Sequence, residues 1–160
     1  MAKKVKIKKT LVEQILSKAG IPHQGIQINA LEGVLPQGYE RDQIFKTLAL
    51  LGDKTGPIIG IVPITQHLSE KKLAKISGNK KVSMIPQKDL EKTTGYIHGA
   101  NNPVGIRQKH NYPIFIDKIA LDLDQMIVSA GEVGHSIIVV PQDLASFVKA
   151  DFVDILEDSK

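Results

Sequence analysis

Ile44-Phe45-Lys46-Thr47-Leu48-Ala49-Leu50-Leu51 sets one ammonium in the middle of an apolar run. Read as a strand, the run places Ile44, Lys46, Leu48 and Leu50 on one face and Phe45, Thr47, Ala49 and Leu51 on the other. Lys46 then shares its face with aliphatic neighbours alone. An unpaired ammonium in an apolar site costs roughly several kcal/mol, so the lysine must snorkel to water, meet an anion or give up its proton. That demand points to an anionic ligand. The plain alternative is a solvent-facing lysine that guards an edge strand against pairing. The turn Gly52-Asp53-Lys54-Thr55-Gly56 and a second apolar run from Pro57 to Ile64 follow, which is the grammar of a hairpin.

Short-range signals set out the elements on either side. Thr10 with Glu13 makes a capping box for a helix carrying Leu11, Val12, Ile15 and Leu16, and Gly20 followed by Pro22 ends it. Ile26 to Ile28 reads as a short strand, and Gly33, Pro36 and Gly38 make residues 29 to 40 a loop. Ser69 caps a helix through Leu73 and Ile76 to Gly78, Lys81 to Ile85 is a strand, and a short helix runs from Pro86 or Gln87 to about Thr93, ending at Gly95. Strands are expected near Pro113 to Asp117, Gln125 to Ser129 and His135 to Val140, with Ala130 to Gly134 as a turn. Pro141 opens a last helix to Ala150, and Phe152 to Leu156 closes the sheet before an acidic, frayed tail at 157–160.

Composition narrows the function classes. The chain of 160 residues with 42% hydrophobic content fits one domain with a real core. The absence of cysteine removes a disulfide framework, cysteine-ligated zinc or iron-sulfur sites, and a thiol nucleophile together. Residues 1–9 form a basic N-terminal extension (Lys3, Lys4, Lys6, Lys8, Lys9) with no apolar signal region after it, and no stretch approaches membrane-spanning length, so the expected location is the cytoplasm. The formal charge of +4 favours a polyanionic partner. With only four Phe and three Tyr, a base-stacking platform is poorly supplied, and contact with RNA would run through phosphates.

Few catalytic grammars are present. The loop Gly95 to Gly105 combines three glycines, two asparagines and a proline, a composition whose backbone N–H groups can approach a phosphate, ribose or carbonyl oxygen closely. It carries neither the Walker nor the dinucleotide pattern. His23, His67, His98, His110 and His135 show no metal-ligand spacing, so no metal site is expected. Ser129 stands at a strand end but lacks the nucleophile-elbow glycines, and Asp117, Asp122 and Asp124 read as solvated loop acids rather than a calcium loop.

Phe45-Lys46-Thr47-Leu48, Lys80-Lys81-Val82-Ser83-Met84, Thr94-Gly95-Tyr96 leading to Gly99-x-x-x-Pro103-x-Gly105, Val128-Ser129-Ala130-Gly131 and Pro141-Gln142-Asp143-Leu144 occur together in that order. In motif and spacing this pattern resembles the YbaK family, stand-alone relatives of the editing domain of bacterial prolyl-tRNA synthetase. The resemblance covers about residues 40 to 156, and residues 22 to 40 depart from it.

The resemblance implies a single compact α+β domain over 1–160, a mixed barrel-like sheet flanked by helices, acting on aminoacyl-tRNA. It implies removal of cysteine from tRNA(Pro), and also from tRNA(Cys), with no cofactor. Lys46 looks like the family's essential lysine. Phe45, Thr47, Tyr96, Gly99, Pro103, Gly105, Ser129 and Gly131 are the implied substrate-binding residues, and Lys80, Lys81, Arg107 and Lys109 the basic side chains suited to RNA. An aminoacyl ester is activated enough that positioning suffices, and either a held water or the substrate's own thiol can attack, the latter releasing a thiolactone. A prolyl-tRNA synthetase partner is compatible with this reading. The competing classes are a binding module that holds the acceptor end or a nucleotide without turnover, and an accessory protein docking on a synthetase.

Overall fold

The computed structural model describes residues 9–28, 35 and 38–158. The basic extension up to Lys8, most of the loop at 29–37 and the last two residues lie outside these. Five α-helices and eight strands are described, the strands forming two sheets.

The central feature is the expected hairpin. Strand β2 (Phe45–Gly52) pairs antiparallel with β3 (Gly56–Pro63), with Gly52 opposite Gly56 and Phe45 opposite Pro63. Both faces of this hairpin are buried. Phe45, Ala49, Ile59 and Ile61 enter the main core, while Leu50, Ile58 and Val62 enter a second core under helix α2 (Glu70–Ser77) with Leu68, Leu73 and Ala74. Burial on both sides is why Pro57 to Pro63 reads as a continuous apolar run instead of an alternating one.

β2 and β3 lie inside a five-stranded mixed sheet whose order is β4 (Val82–Met84), β2, β3, β5 (Ile114–Asp117) and β8 (Asp151–Val153). β4 joins antiparallel to β2, and β5 and β8 add in parallel. The second sheet is antiparallel, ordered β1 (His23–Gln27), β7 (His135–Val139) and β6 (Met126–Glu132). The expected barrel-like sheet is thus two sheets, joined at the Ile44 to Ile127 bridge.

The capping signals act where they were read. Ser69 accepts from Lys72 N–H at 3.1 Å, and Gly78 (φ 80°) and Gly95 (φ 87°) end α2 and α3 (Gln87–Thr94) in the left-handed region that glycine favours. Pro141 is the first residue of α5 (Pro141–Val148). Thr10 accepts from Glu13 N–H at 3.2 Å at the start of α1 (Leu11–Lys18), but Glu13 departs from the box. Its side chain is buried against Gly25, where a Cβ would lie 2.7 Å from a carboxylate oxygen.

Several expectations need correction. Pro103–Lys109 is a helix, α4, that begins within the region read as loop and runs past its end at Gly105: Asn102 accepts from Gly105 N–H at 2.6 Å and Pro103 opens the first turn. β1 starts at His23, three residues before the expected strand, and β8 ends before Leu156. Asp117 is not a solvated loop acid. It is buried at the end of β5 and accepts from Ile119 and Ile155 N–H, both at 2.9 Å, tying β5 to the chain after β8. The acidic tail is held as far as Asp158, which pairs with Lys72 at 2.8 Å.

The hairpin turn depends on one side chain from elsewhere. Asn79 is buried, accepts from Lys54 N–H (2.8 Å) and Thr55 N–H (3.0 Å), and donates to Thr55 Oγ1. Removing it strands two amide donors in the turn. Asn79→Ala is expected to lower stability by about 1–3 kcal/mol in urea unfolding, at roughly 0.5–1.5 kcal/mol for each of the two hydrogen bonds lost. An unchanged midpoint would show that the turn holds without it.

Candidate active site

The cleft arises from how β2 is paired. The Ile44 carbonyl accepts from Ile64 N–H at 2.9 Å, so the even residues of β2 direct their backbone groups to β3 and the odd residues address the opposite edge. On that outer edge β4 pairs only with Leu50 to Gly52, and Ile85 N–H reaches the Ala49 carbonyl at 3.1 Å. At the other end stands the Ile44 to Ile127 bridge to β6. Between these two attachments the edge of β2 parts from its neighbours. A cleft of about 590 Å³ opens there, within the usual range for small-ligand sites.

The cleft wraps the edge of β2 and is lined by Phe45, Lys46, Thr47, Leu48 and Ala49 together. On one side lie Leu90 of α3, Asn101 and Val128. On the other lie Ile28, Ile44, Ile64 and the cross-strand pair Ser129 and Ser136. Arg41, Met84, Ile85, Gln87, His98, Gly99, Val133, Gly134 and His135 complete the lining.

Lys46 is half-buried, faces Val62 across the hairpin and forms no ion pair among the described residues. Burial pushes its pKa below the ordinary lysine value, since desolvation penalises the charged form. When charged, its ammonium is only partly hydrated in the cleft, which strengthens its attraction for an anion relative to an exposed lysine.

The residues implied by the resemblance fall into two layers. Phe45, Lys46, Thr47, Gly99 and Ser129 line the cleft. Tyr96, Pro103, Gly105 and Gly131 stand behind it. Gly105 is buried in α4 with the Tyr96 hydroxyl over it, where any Cβ would collide, and Gly131 (φ 93°) lies against Val12, Asn102 and Tyr96. These glycines allow β6, α4 and the Tyr96 segment to close together behind the site. Gly99 adopts φ 90°, and a Cβ there would lie 3.6 Å from Val133, so the glycine loop and the β6–β7 turn meet beside the cleft.

The basic candidates separate as well. Lys80 and Lys81 are exposed, their backbone N–H groups fixed by Asp53 at 2.9 and 3.0 Å, and they lead along β4 to Met84 in the cleft lining. Arg107 donates to the Val148 carbonyl at 2.6 Å and to Asn111 at 3.0 Å, and Lys109 sits 4.4 Å from the Tyr96 ring centre. Both therefore hold internal partners. Sequence reasoning missed Arg41, His98, Asn101, His135 and Ser136 as lining residues. Their separation along the chain gives no spacing signal, although Ser136 follows from pairing with Ser129 once the β6–β7 turn is placed.

Residues 32–147 match the aminoacyl-tRNA editing domain, and the chain belongs to that family. It is 38% identical over 162 residues to an Enterococcus faecalis protein named provisionally as a Cys-tRNA(Pro)/Cys-tRNA(Cys) deacylase, EbsC, spanning 97% of this chain and 98% of that one. A crystal structure described provisionally as a trans-editing enzyme for prolyl tRNA synthetase superposes with a TM-score of 0.77 at 22% identity, covering 92% of this chain and 95% of that one. The structure of a hypothetical protein gives 0.81 at 20% identity, with 91% and 99% covered. These two likenesses establish the shared fold. The chain carries the expected α+β editing fold.

Desolvation of Lys46 has a direct consequence for stability. With the folded pKa below the unfolded one, the unfolded chain binds more protons in the interval between them, so the contribution of Lys46 raises stability as pH climbs through it. Below that interval the buried charge is a constant cost. Lys46→Met should therefore be more stable than wild type near neutrality, with the gap narrowing as pH approaches about 10.4, the unperturbed lysine value. Thermal melts at neutral and alkaline pH check this, and a gap independent of pH would contradict it.

Proposed function

We propose that this chain is a trans-editing deacylase that removes cysteine from mischarged tRNA(Pro), and also from tRNA(Cys), in the cytoplasm. The observation that carries the reading is Lys46, a desolvated ammonium beside the open edge of β2, in a cleft that also holds Gly99, Thr47 and Ser129. Family membership and the name of the Enterococcus faecalis relative support it.

In this reading the aminoacylated 3′ end enters the cleft with its negative charge toward Lys46. Attack on the ester carbonyl, by a held water or by the cysteine thiol after it gives up its proton, forms the new C–O or C–S bond. The C–O bond to the ribose breaks, and the proton given up by the water or thiol is passed through solvent to the ribose oxygen as it leaves. Lys46 steadies the developing oxyanion, and backbone N–H groups of the Gly99 loop are placed to assist. Positioning supplies most of the acceleration because the ester is already activated. Lys80 and Lys81 are the proposed phosphate contacts. Arg107 and Lys109, committed to internal partners, would add long-range field. Prolyl-tRNA synthetase is the proposed partner that supplies tRNA specificity.

The test is ester loss from Cys-tRNA(Pro), Cys-tRNA(Cys), Ala-tRNA(Pro) and Pro-tRNA(Pro). Release of cysteine from the first two is expected, abolished in Lys46→Ala and poorly restored in Lys46→Arg, whose planar fork differs from a compact ammonium. Binding without ester loss from any of them would mark the chain as a non-catalytic module.

Few aromatics and several surface lysines predict phosphate-dominated binding. Affinity for tRNA should fall steeply between about 50 and 200 mM salt, and Lys80→Ala with Lys81→Ala should weaken binding alike for all tRNAs while reducing the salt slope by about 2. Salt-insensitive binding would contradict the assignment.

A further inference from the structure

We infer that Thr47 determines the amino-acid specificity of this cleft, its hydroxyl reading the heteroatom at the tip of a small side chain such as the cysteine S–H. The inference rests on the deacylase reading and adds to it a residue on the far face of β2 from Lys46. Strand alternation sends adjacent side chains to opposite faces, and the cleft reaches both because it wraps the strand edge. Lys46 thus serves the ester end and Thr47 the other, with a held water as the attacking group.

The surroundings of Thr47 are apolar. Phe45 and Ala49 flank it on its own face, Ile61 lies opposite on β3, and Leu90 and Val128 stand across the cleft. The residue is only 9% exposed, and its Oγ1 is buried with no hydrogen-bond partner among the described residues. In such a place valine has the same shape without the desolvation cost, and most buried hydroxyls find a partner. Ser129, elsewhere in the cleft lining, has one, accepting from Gly131 N–H at 3.2 Å. A threonine kept without a partner in the wall of a binding cleft is explained if a ligand provides it. Rotation about χ1 exchanges the hydroxyl with the methyl and presents it to the cleft without moving the backbone.

The chemistry suits a thiol. Sulfur is polarizable and sits well among aliphatic and aromatic walls, while its weak S–H donor needs one acceptor. The site would favour cysteine over alanine, which fills less of the space and leaves the hydroxyl orphaned. Discrimination by a buried polar group exceeds what a methylene-sized difference in volume supplies.

The experiment compares kcat/KM on Cys-tRNA(Pro) and Ala-tRNA(Pro) for wild type, Thr47→Val and Thr47→Ser, with Tm for each. Thr47→Val is expected to melt no lower than wild type and to lose about 10-fold or more of the cysteine-over-alanine preference. Thr47→Ser should retain that preference. A stable Thr47→Val protein with an unchanged preference overturns the inference and leaves the deacylase reading standing. A wild type that deacylates neither substrate defeats the deacylase reading instead. Calorimetric affinity for amide-linked cysteinyl-adenosine and alanyl-adenosine then tests Thr47 alone: the same 10-fold change between wild type and Thr47→Val supports it, and no change refutes it.

Discussion

A lysine on a strand buried on both faces is tolerable only if that strand keeps an edge open. Lys46 sits among Ile44, Leu48 and Val62, where closing the β2 edge would leave its ammonium without water or a counter-charge. The short β4, which pairs only with Leu50 to Gly52, and the Ile44 to Ile127 bridge preserve the opening. The split into two sheets and the cleft between them go with that opening, while the lowered pKa of Lys46 reflects the burial that remains. The same constraint explains the supporting layer. Gly105 and Gly131 let α4 and β6 pack tightly behind the cleft, so the opening costs the rest of the core little order.

What was legible in the sequence was local chemistry. The hairpin at 44–64, the Ser69 and Gly78 limits of α2, the Gly95 stop of α3 and Pro141 at the start of α5 are each written in a few adjacent residues. Helix α4 was hidden because Asn102 and Pro103, a cap and a first-turn proline, are embedded among glycines and asparagines that also suit a loop. The division into two sheets was hidden for another reason. Pairings such as Gln27 with His135 and Ile59 with Ile114 join distant segments, and no short-range signal specifies them. Asp117 looked like a solvated acid because its two acceptor contacts are made with N–H groups placed only by the folded chain.

The site was half legible. Alternation along β2 singled out Lys46 and fixed Thr47 on the opposite face, and the family pattern named Gly99 and Ser129, all of which line the cleft. The same pattern grouped Tyr96, Pro103, Gly105 and Gly131 with them, although these stand behind the cleft and hold its wall. A motif reports which residues travel together, while depth relative to a ligand is set by packing. Thr47 shows the difference most clearly: its side-chain type and position were visible, but its unpartnered hydroxyl is a property of the folded core.

The central claim is that Lys46 is a desolvated ammonium whose intended partner is the charge of an aminoacylated 3′ end. The most direct measurement is its pKa by NMR of Cε-labelled lysine, free and with an amide-linked cysteinyl-adenosine 5′-phosphate, using Lys46→Met to assign the signal. The account predicts a free value below that of the exposed lysines and an upward shift on binding, since an anion favours the charged form. An ordinary lysine value that does not move with ligand would contradict it.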